Sequence, residues 1–263
     1  MSADNYKSIA AKLKFEGRAY INGKYVDAID GEKFENLNPA TSDILCSVDK
    51  CNHKDVDLAV KVSRKAFESG VWSKTAPEYR KEILLKFAEL LRKHGVENSV
   101  LECVDTGKLV NDCLNEVAND TPMHFQWYAE LIDKTFGKVS ATDPSITSLI
   151  VKEPIGVVAG VVPWNFPLMM AVWKAAPALA AGCSVIIKPA EDTPLSALRI
   201  AQIASDAGIP DGVLNVLPGF GDVGEALGRH NDVDAVSFTG STEVGGLFMK
   251  YSGESNLKTI GLE

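Results

Sequence analysis

Two continuously apolar runs, VVAGVV at Val157 to Val162 and SVIIK at Ser184 to Lys188, constrain this chain more than any other feature. Neither alternates polar with apolar residues, so each reads as a strand buried on both faces, with helical patterns between and after them. The spacing predicts strands at Gly156 to Val162, Ser184 to Lys188, Val213 to Leu217 and Ala235 to Phe238. Helices are expected up to Ala181, from Pro194 to Ala207, from about Gly221 to Gly228, and from about Thr242 onward. Such alternation gives a parallel sheet covered on both faces, a nucleotide-binding type of α/β architecture.

The N-terminal part is less regular. INGKYVDA and ENLNPATSDILCSVDKC are short β-like runs punctuated by Gly, Asn-Pro and Asp, expected as peripheral edge strands. Apolar stripes predict helices from about Asp55 to Ser69 and from about Pro77 to His94. The stretch from Lys134 to Glu153 has two β-like arms around Asp143-Pro144-Ser145, a hairpin signal.

Charge and cysteine usage narrow the function classes. Asp and Glu number 35 against 27 Lys and Arg, a net charge of -8 without a basic run, so nucleic acid is not expected as a partner. Pro154 to Trp173 is 20 residues without a charge, but Pro163, Asn165 and Pro167 break it into strand, loop and helix, and no membrane span is expected. The first residues lack the apolar core of an export signal. Cys46, Cys51, Cys103, Cys113 and Cys183 form no C-x-x-C pair or Cys/His cluster, so neither a disulfide framework nor a metal site is expected. All five read as small hydrophobes, and a reducing cytoplasmic setting fits.

Ligands of an open parallel sheet bind at the carboxyl ends of its strands, so three loops carry the chemistry. After VVAGVV comes Pro163-Trp164-Asn165-Phe166-Pro167, where the Asn165 amide could donate to an oxyanion, or could simply cap its own backbone. After SVIIK comes KPAE: Lys188 could donate to ribose hydroxyls, and Glu191 could accept from a 2'-OH and repel a 2'-phosphate. The competing reading is a surface Lys and a Glu favoured by a helix N-terminus. The third loop, Phe238-Thr239-Gly240-Ser241, leads into a helix whose first amides suit a phosphate, although neither G-x-G-x-x-G nor a Walker loop is present.

Together these motifs resemble the NAD(P)-dependent aldehyde dehydrogenases. INGKYVDA, NPAT at Asn38 to Thr41, LECVDTGK at Leu101 to Lys108, VVPWNFP, KPAE, IPDGVLNVLPGFG and FTGSTEVG are all family-like, and Leu109 stands where Pro is usual after DTGK. Gln126 to Glu130 and Gly228 to Asp232 look most like the branch acting on aminoaldehydes, such as the γ-glutamyl-γ-aminobutyraldehyde dehydrogenases. The resemblance implies an α/β fold: a Rossmann-like parallel sheet with flanking helices and a protruding β-hairpin arm. Residues 1–133 and 154–258 would form the NAD(P)-binding domain, 134–153 an oligomerisation arm, and 259–263 the start of a catalytic domain truncated after Glu263.

By the same resemblance, Asn165 would be the oxyanion donor, and Val162, Pro163 and Trp164 would line the cofactor cleft. Lys188 and Glu191 would hold the adenosine ribose, Gly221 would lie on the adenine side, and Gly240 with Ser241 would face the pyrophosphate. SNLKTIGLE ends on Glu263, which matches the family's general base, with Gly261 where a bulkier residue is common. The cofactor implied is NAD, with NADP possible, and the partners are an aldehyde substrate and identical subunits in a homodimer or homotetramer. The family's cysteine nucleophile, which forms a thiohemiacetal and then a thioester, sits in a Gly-Gln-x-Cys context beyond the glutamate, and none of the five cysteines has it. The chain is therefore expected to be an N-terminal portion, inactive alone. The alternative is a short, non-catalytic dinucleotide-binding or subunit-docking protein.

Overall fold

The computed structural model describes residues 2–263. Helix α1 (Ala3–Ala10) precedes four short strands, β1 (Ala19–Ile21), β2 (Lys24–Val26), β3 (Lys33–Leu37) and β4 (Ile44–Asp49). Helix α2 (His53–Ser69) has a capping box at its start: Asn52 accepts from the Lys54 amide at 2.9 Å, and Asp55 accepts from the Asn52 amide at 2.9 Å. Gly70, in the left-handed region with φ 79°, ends it. Helix α3 (Pro77–Lys93) begins with proline at its first position, where no amide is needed.

Helices α4 (Gly95–Thr106), α5 (Val110–Cys113) and α6 (Thr121–Leu131) follow, with a π-helical segment Leu114–Asp120 between the last two. Strands β5 (Lys138–Ser140) and β6 (Ser148–Ile150) pair antiparallel as the expected hairpin, and Asp143 accepts from the Ser145 amide at 2.9 Å in its turn. Then comes the predicted alternation: β7 (Val157–Val161), α7 (Pro167–Ala181), β8 (Ser184–Lys188), α8 (Leu195–Ala207), β9 (Leu214–Val216), α9 (Gly221–Arg229), β10 (Ala235–Phe238) and α10 (Thr242–Gly253), followed by a strand the sequence reading did not anticipate, β11 (Thr259–Leu262). Among the described residues no helix is long and apolar enough to cross a membrane; the uncharged stretch is β7, its loop and the start of α7.

The central sheet runs β11-β10-β7-β8-β9-β1-β2. Its first five strands are parallel, whereas β1 pairs antiparallel with β9 and with β2, so the sheet is mixed. Strand β1 is therefore no peripheral strip: Ala19, Tyr20 and Ile21 are all buried, and they close one side of the parallel core. Successive residues of β8 point to opposite faces, as pleating demands. Val185 and Ile187 meet the layer of α3, α6, α7 and α8, while Ile186 meets that of α2, α9 and α10. Each face is thus sealed, and only the strand ends are left for polar chemistry.

Candidate active site

Because β10, β7 and β8 are neighbours, the three loops after them emerge side by side. Main-chain hydrogen bonds tie their roots: the Val162 amide donates to the Lys188 carbonyl at 3.1 Å, and the Thr239 amide donates to the Val161 carbonyl at 3.1 Å. Val162 is buried at this junction, Pro163 is half-buried, and Trp164 and Asn165 stand exposed. The Asn165 side chain does not cap α7, whose capping residue is Phe166 with no side-chain bond. The first turn of α7 is held instead by Glu102, which accepts from the Leu168 amide at 3.2 Å. Asn165 keeps its amide for something other than its own helix.

Lys188 is not a surface lysine. Only 5% of it is exposed, and its Nζ donates to Glu191 Oε2 at 3.0 Å. Nor does Glu191 cap a helix: the first amide of α8, that of Leu195, is taken at 3.0 Å by Asp105 from α4. An ammonium and a carboxylate thus stand together at a strand end, a donor and an acceptor set for a vicinal diol. A cavity of about 540 Å³ opens beside them, with Trp164, Glu191, Thr193, Phe220 and Phe34 in its wall. Gly221 starts α9 next to it, and a Cβ there would meet no atom within 4 Å, so packing within the chain does not demand glycine at that position.

At the third loop Ser241 caps α10, accepting from the Val244 amide at 3.3 Å. The Gly240 amide donates to the Glu263 carbonyl at 3.3 Å, and a Cβ at Gly240 would fall 2.5 Å from the Phe238 ring. Both residues are engaged within the chain, leaving the unpaired amides of the first turn of α10 as its anion-facing groups. Glu263 follows β11, whose pairing with β10 brings its carboxylate to Thr239, which donates to it at 2.9 Å.

Four charged neighbours of these loops were given no role in the sequence reading. Lys174, buried in the otherwise apolar α7, donates to Thr239 Oγ1 at 2.6 Å and lies 3.8 Å from the Glu263 carboxylate. Burial lowers its pKa, and Glu263 pulls it back up. A charged residue inside PLMMAVWKAAPALAA was the available signal. Gly160 makes room for it, since a Cβ there would meet Ile187 at 2.8 Å and Lys174 at 3.2 Å. Lys108, in the turn after α4, donates to the Asn165 carbonyl at 3.3 Å, sits 3.9 Å over the Phe166 ring and pairs with Glu116. Glu102 and Asp105 are buried carboxyls, and burial pushes them up to about 7 and about 8. Among the described residues no group of His, Cys, Asp and Glu is arranged to hold a metal ion.

The fold and these strand-end loops define an α/β unit whose polar groups gather at the carboxyl ends of a parallel sheet, and comparison with known proteins places it. The aldehyde dehydrogenase family model matches residues 25–263, and the chain belongs to that family. It is 50% identical to the aminoacetaldehyde dehydrogenase of Pseudomonas aeruginosa over 264 residues, which is 100% of this chain and 53% of that protein. The structure of the γ-glutamyl-γ-aminobutyraldehyde dehydrogenase from Burkholderia cenocepacia superposes with a TM-score of 0.99 at 46% identity, covering 100% of this chain and 53% of that one. A variant of the P. syringae indole-3-acetaldehyde dehydrogenase, solved with NAD+ and IAA, gives 0.98 at 47% identity with the same coverage. The chain spans about half the length of the relatives it matches.

Proposed function

We propose that this chain supplies the NAD-binding and oxyanion-holding part of an NAD-dependent oxidation of an aldehyde, with aminoaldehydes as the substrate class. The observation that carries the reading is the buried Lys188 paired with Glu191 at the end of β8, flanked by two further strand-end loops. Those residues fit a dinucleotide: Lys188 and Glu191 offer one donor and one acceptor to the adenosine ribose, and the open space at Gly221 and the start of α10 suit adenine and pyrophosphate. When bound, the nicotinamide supplies the hydride acceptor. Val162, Pro163 and Trp164 form the wall against which the cofactor lies.

Asn165 donates its amide N–H to the oxygen of the carbonyl as charge develops there, a contribution strongest where the donor is held in advance. Lys108 provides that hold from behind, through the Asn165 carbonyl. Glu263 takes a proton from the water that hydrolyses the acyl product, and Lys174 and Thr239 orient it. The thiol nucleophile does not come from these three loops, none of which contains a cysteine. We therefore assign cofactor binding, but not turnover, to residues 1–263 alone. Residues 134–153 serve as a subunit-pairing arm in a homo-oligomer, because their apolar side chains are exposed: Val139 is 74% and Leu149 63% accessible.

Calorimetric titration of NAD tests the assignment. Lys188→Ala removes a charge-assisted contact and weakens binding by about 1.5–3 kcal/mol, roughly 10- to 150-fold. Equal affinity of the two proteins would remove Lys188 from the site.

A further inference from the structure

Four cations are buried among the described residues: Arg80, Lys174, Lys188 and Lys258. Lys188 and Lys174 stand 3.0 and 3.8 Å from a carboxylate, and Lys258 donates to the Gly228 carbonyl at 2.6 Å and to Ser255 Oγ at 3.0 Å. Arg80, in the first turn of α3, is only 9% exposed. Its Nη1 donates to the Thr75 carbonyl at 2.7 Å and to Thr75 Oγ1 at 3.4 Å, and its Nε to the Ala180 carbonyl at 3.4 Å. Among the described residues it has no other partner, so Nη2 donates to nothing and no carboxylate balances the charge. Arginine is almost never buried without a counter-charge, because the ion gives up its hydration.

Arg80 lies in the wall of two adjoining cavities, of about 540 and 660 Å³, which also share Lys152, Glu153 and Ala181. The smaller has an apolar side built from Pro77, Tyr128, Leu131, Ile132 and Pro177. Capping the C-terminus of α7 does not account for the arrangement. That end already has donors, since Trp72 Nε1 takes the Leu179 carbonyl and the Cys183 amide takes the Ala178 carbonyl, both at 2.9 Å. Holding the Ala180 carbonyl occupies Nε alone and leaves Nη2 beside an apolar-walled space of ordinary ligand size.

We propose that the smaller cavity binds a monocarboxylate with an apolar chain, the carboxylate taken by Arg80 and the chain laid against Tyr128, Leu131 and Ile132. Guanidinium N–H groups suit a carboxylate, and the exposed Lys152 adds a second positive charge to the same wall. Glu153, in that wall too, sets the class: it repels a doubly charged phosphate more than a singly charged carboxylate. The site is separate from the strand-end loops. Arg80 holds the last turn of the 15-residue α7, whereas the Asn165 loop precedes its first, roughly 22 Å away along the helix. The ligand therefore leaves the proposed cofactor surface free, and the inference does not rest on that surface binding NAD.

Calorimetric titration of the 263-residue protein with octanoate tests it, with octanol as the chain without the charge, acetate as the charge without the chain, and inorganic phosphate as the other anion. Octanoate should bind at one site, each of the other three at least about tenfold more weakly. Arg80→Gln should abolish binding. Should that variant fail to fold, Lys152→Glu decides, because it reverses an exposed charge on the cavity wall: octanoate should weaken by about tenfold with the melting temperature unchanged. Hydrogen exchange with octanoate should slow in residues 77–81 and 128–135. Octanol or phosphate binding as tightly as octanoate, an affinity indifferent to Lys152→Glu, or protection confined to residues 162–168 and 188–193 would each overturn the site.

Discussion

At Glu191 the carboxylate sits 3.0 Å from the ammonium of Lys188, so a ribose 2'-OH meets both a donor and an acceptor, whereas a 2'-phosphate meets a negative charge. Glu191→Gln keeps the side-chain shape and removes that charge. The variant should bind NADP better relative to NAD by about tenfold, or ~1.4 kcal/mol, in the ratio of the two calorimetric dissociation constants. An unchanged ratio would leave Glu191 no part in choosing the cofactor. This pair was legible in the sequence because a strand end followed by KPAE is a local pattern. Lys174 and Lys108 were not, because what they hold lies far along the chain: Thr239 is 65 residues from Lys174, and Asn165 is 57 from Lys108.

Among the elements, α4 has the least expected role. It was not anticipated as a separate helix, yet its buried face sends Glu102 and Asp105 to the first amides of α7 and α8, the helices that follow the Asn165 and Glu191 loops. The α/β alternation could be read from periodicity, but this long-range capping could not, since acid and amide lie 66 and 90 residues apart. Burial raises both carboxyls, and in each the second oxygen is buried without a partner, which favours the protonated form. The folded state therefore binds more protons than the unfolded chain, and native stability falls as pH rises from the ordinary carboxylate range, about 4, through about 7 for Glu102 and about 8 for Asp105. Glu102→Gln, neutral at every pH, should flatten the decline up to about 7 by a few degrees of melting temperature. A wild-type melting temperature that climbs across that range would contradict the assignment. The β5–β6 hairpin was plain from its turn residues and exposes Leu149 and Ile150. Leu149→Lys should lower self-association in sedimentation and leave the melting transition within about 0.5 kcal/mol of wild type. Unchanged sedimentation would take the arm out of subunit pairing.

Across the whole molecule, the sheet order brings the ends of β10, β7 and β8 together, and two sealed apolar layers hold them there. Local sequence predicted the parallel strands β7 to β10 but not the closure of the sheet by β1, because its pairing with β9 joins Tyr20 to Val216, residues far apart in the sequence. Lys188, Glu191, Gly221 and the first turn of α10 thus form one surface, and the central claim is that this surface receives NAD. Hydrogen–deuterium exchange of the 263-residue protein with and without saturating NAD tests it most directly. Slower exchange is expected in residues 162–168, 188–193, 220–224 and 239–245, with the hairpin 134–153 unaffected. Protection absent from those four segments, or confined to the hairpin and α2, would contradict it.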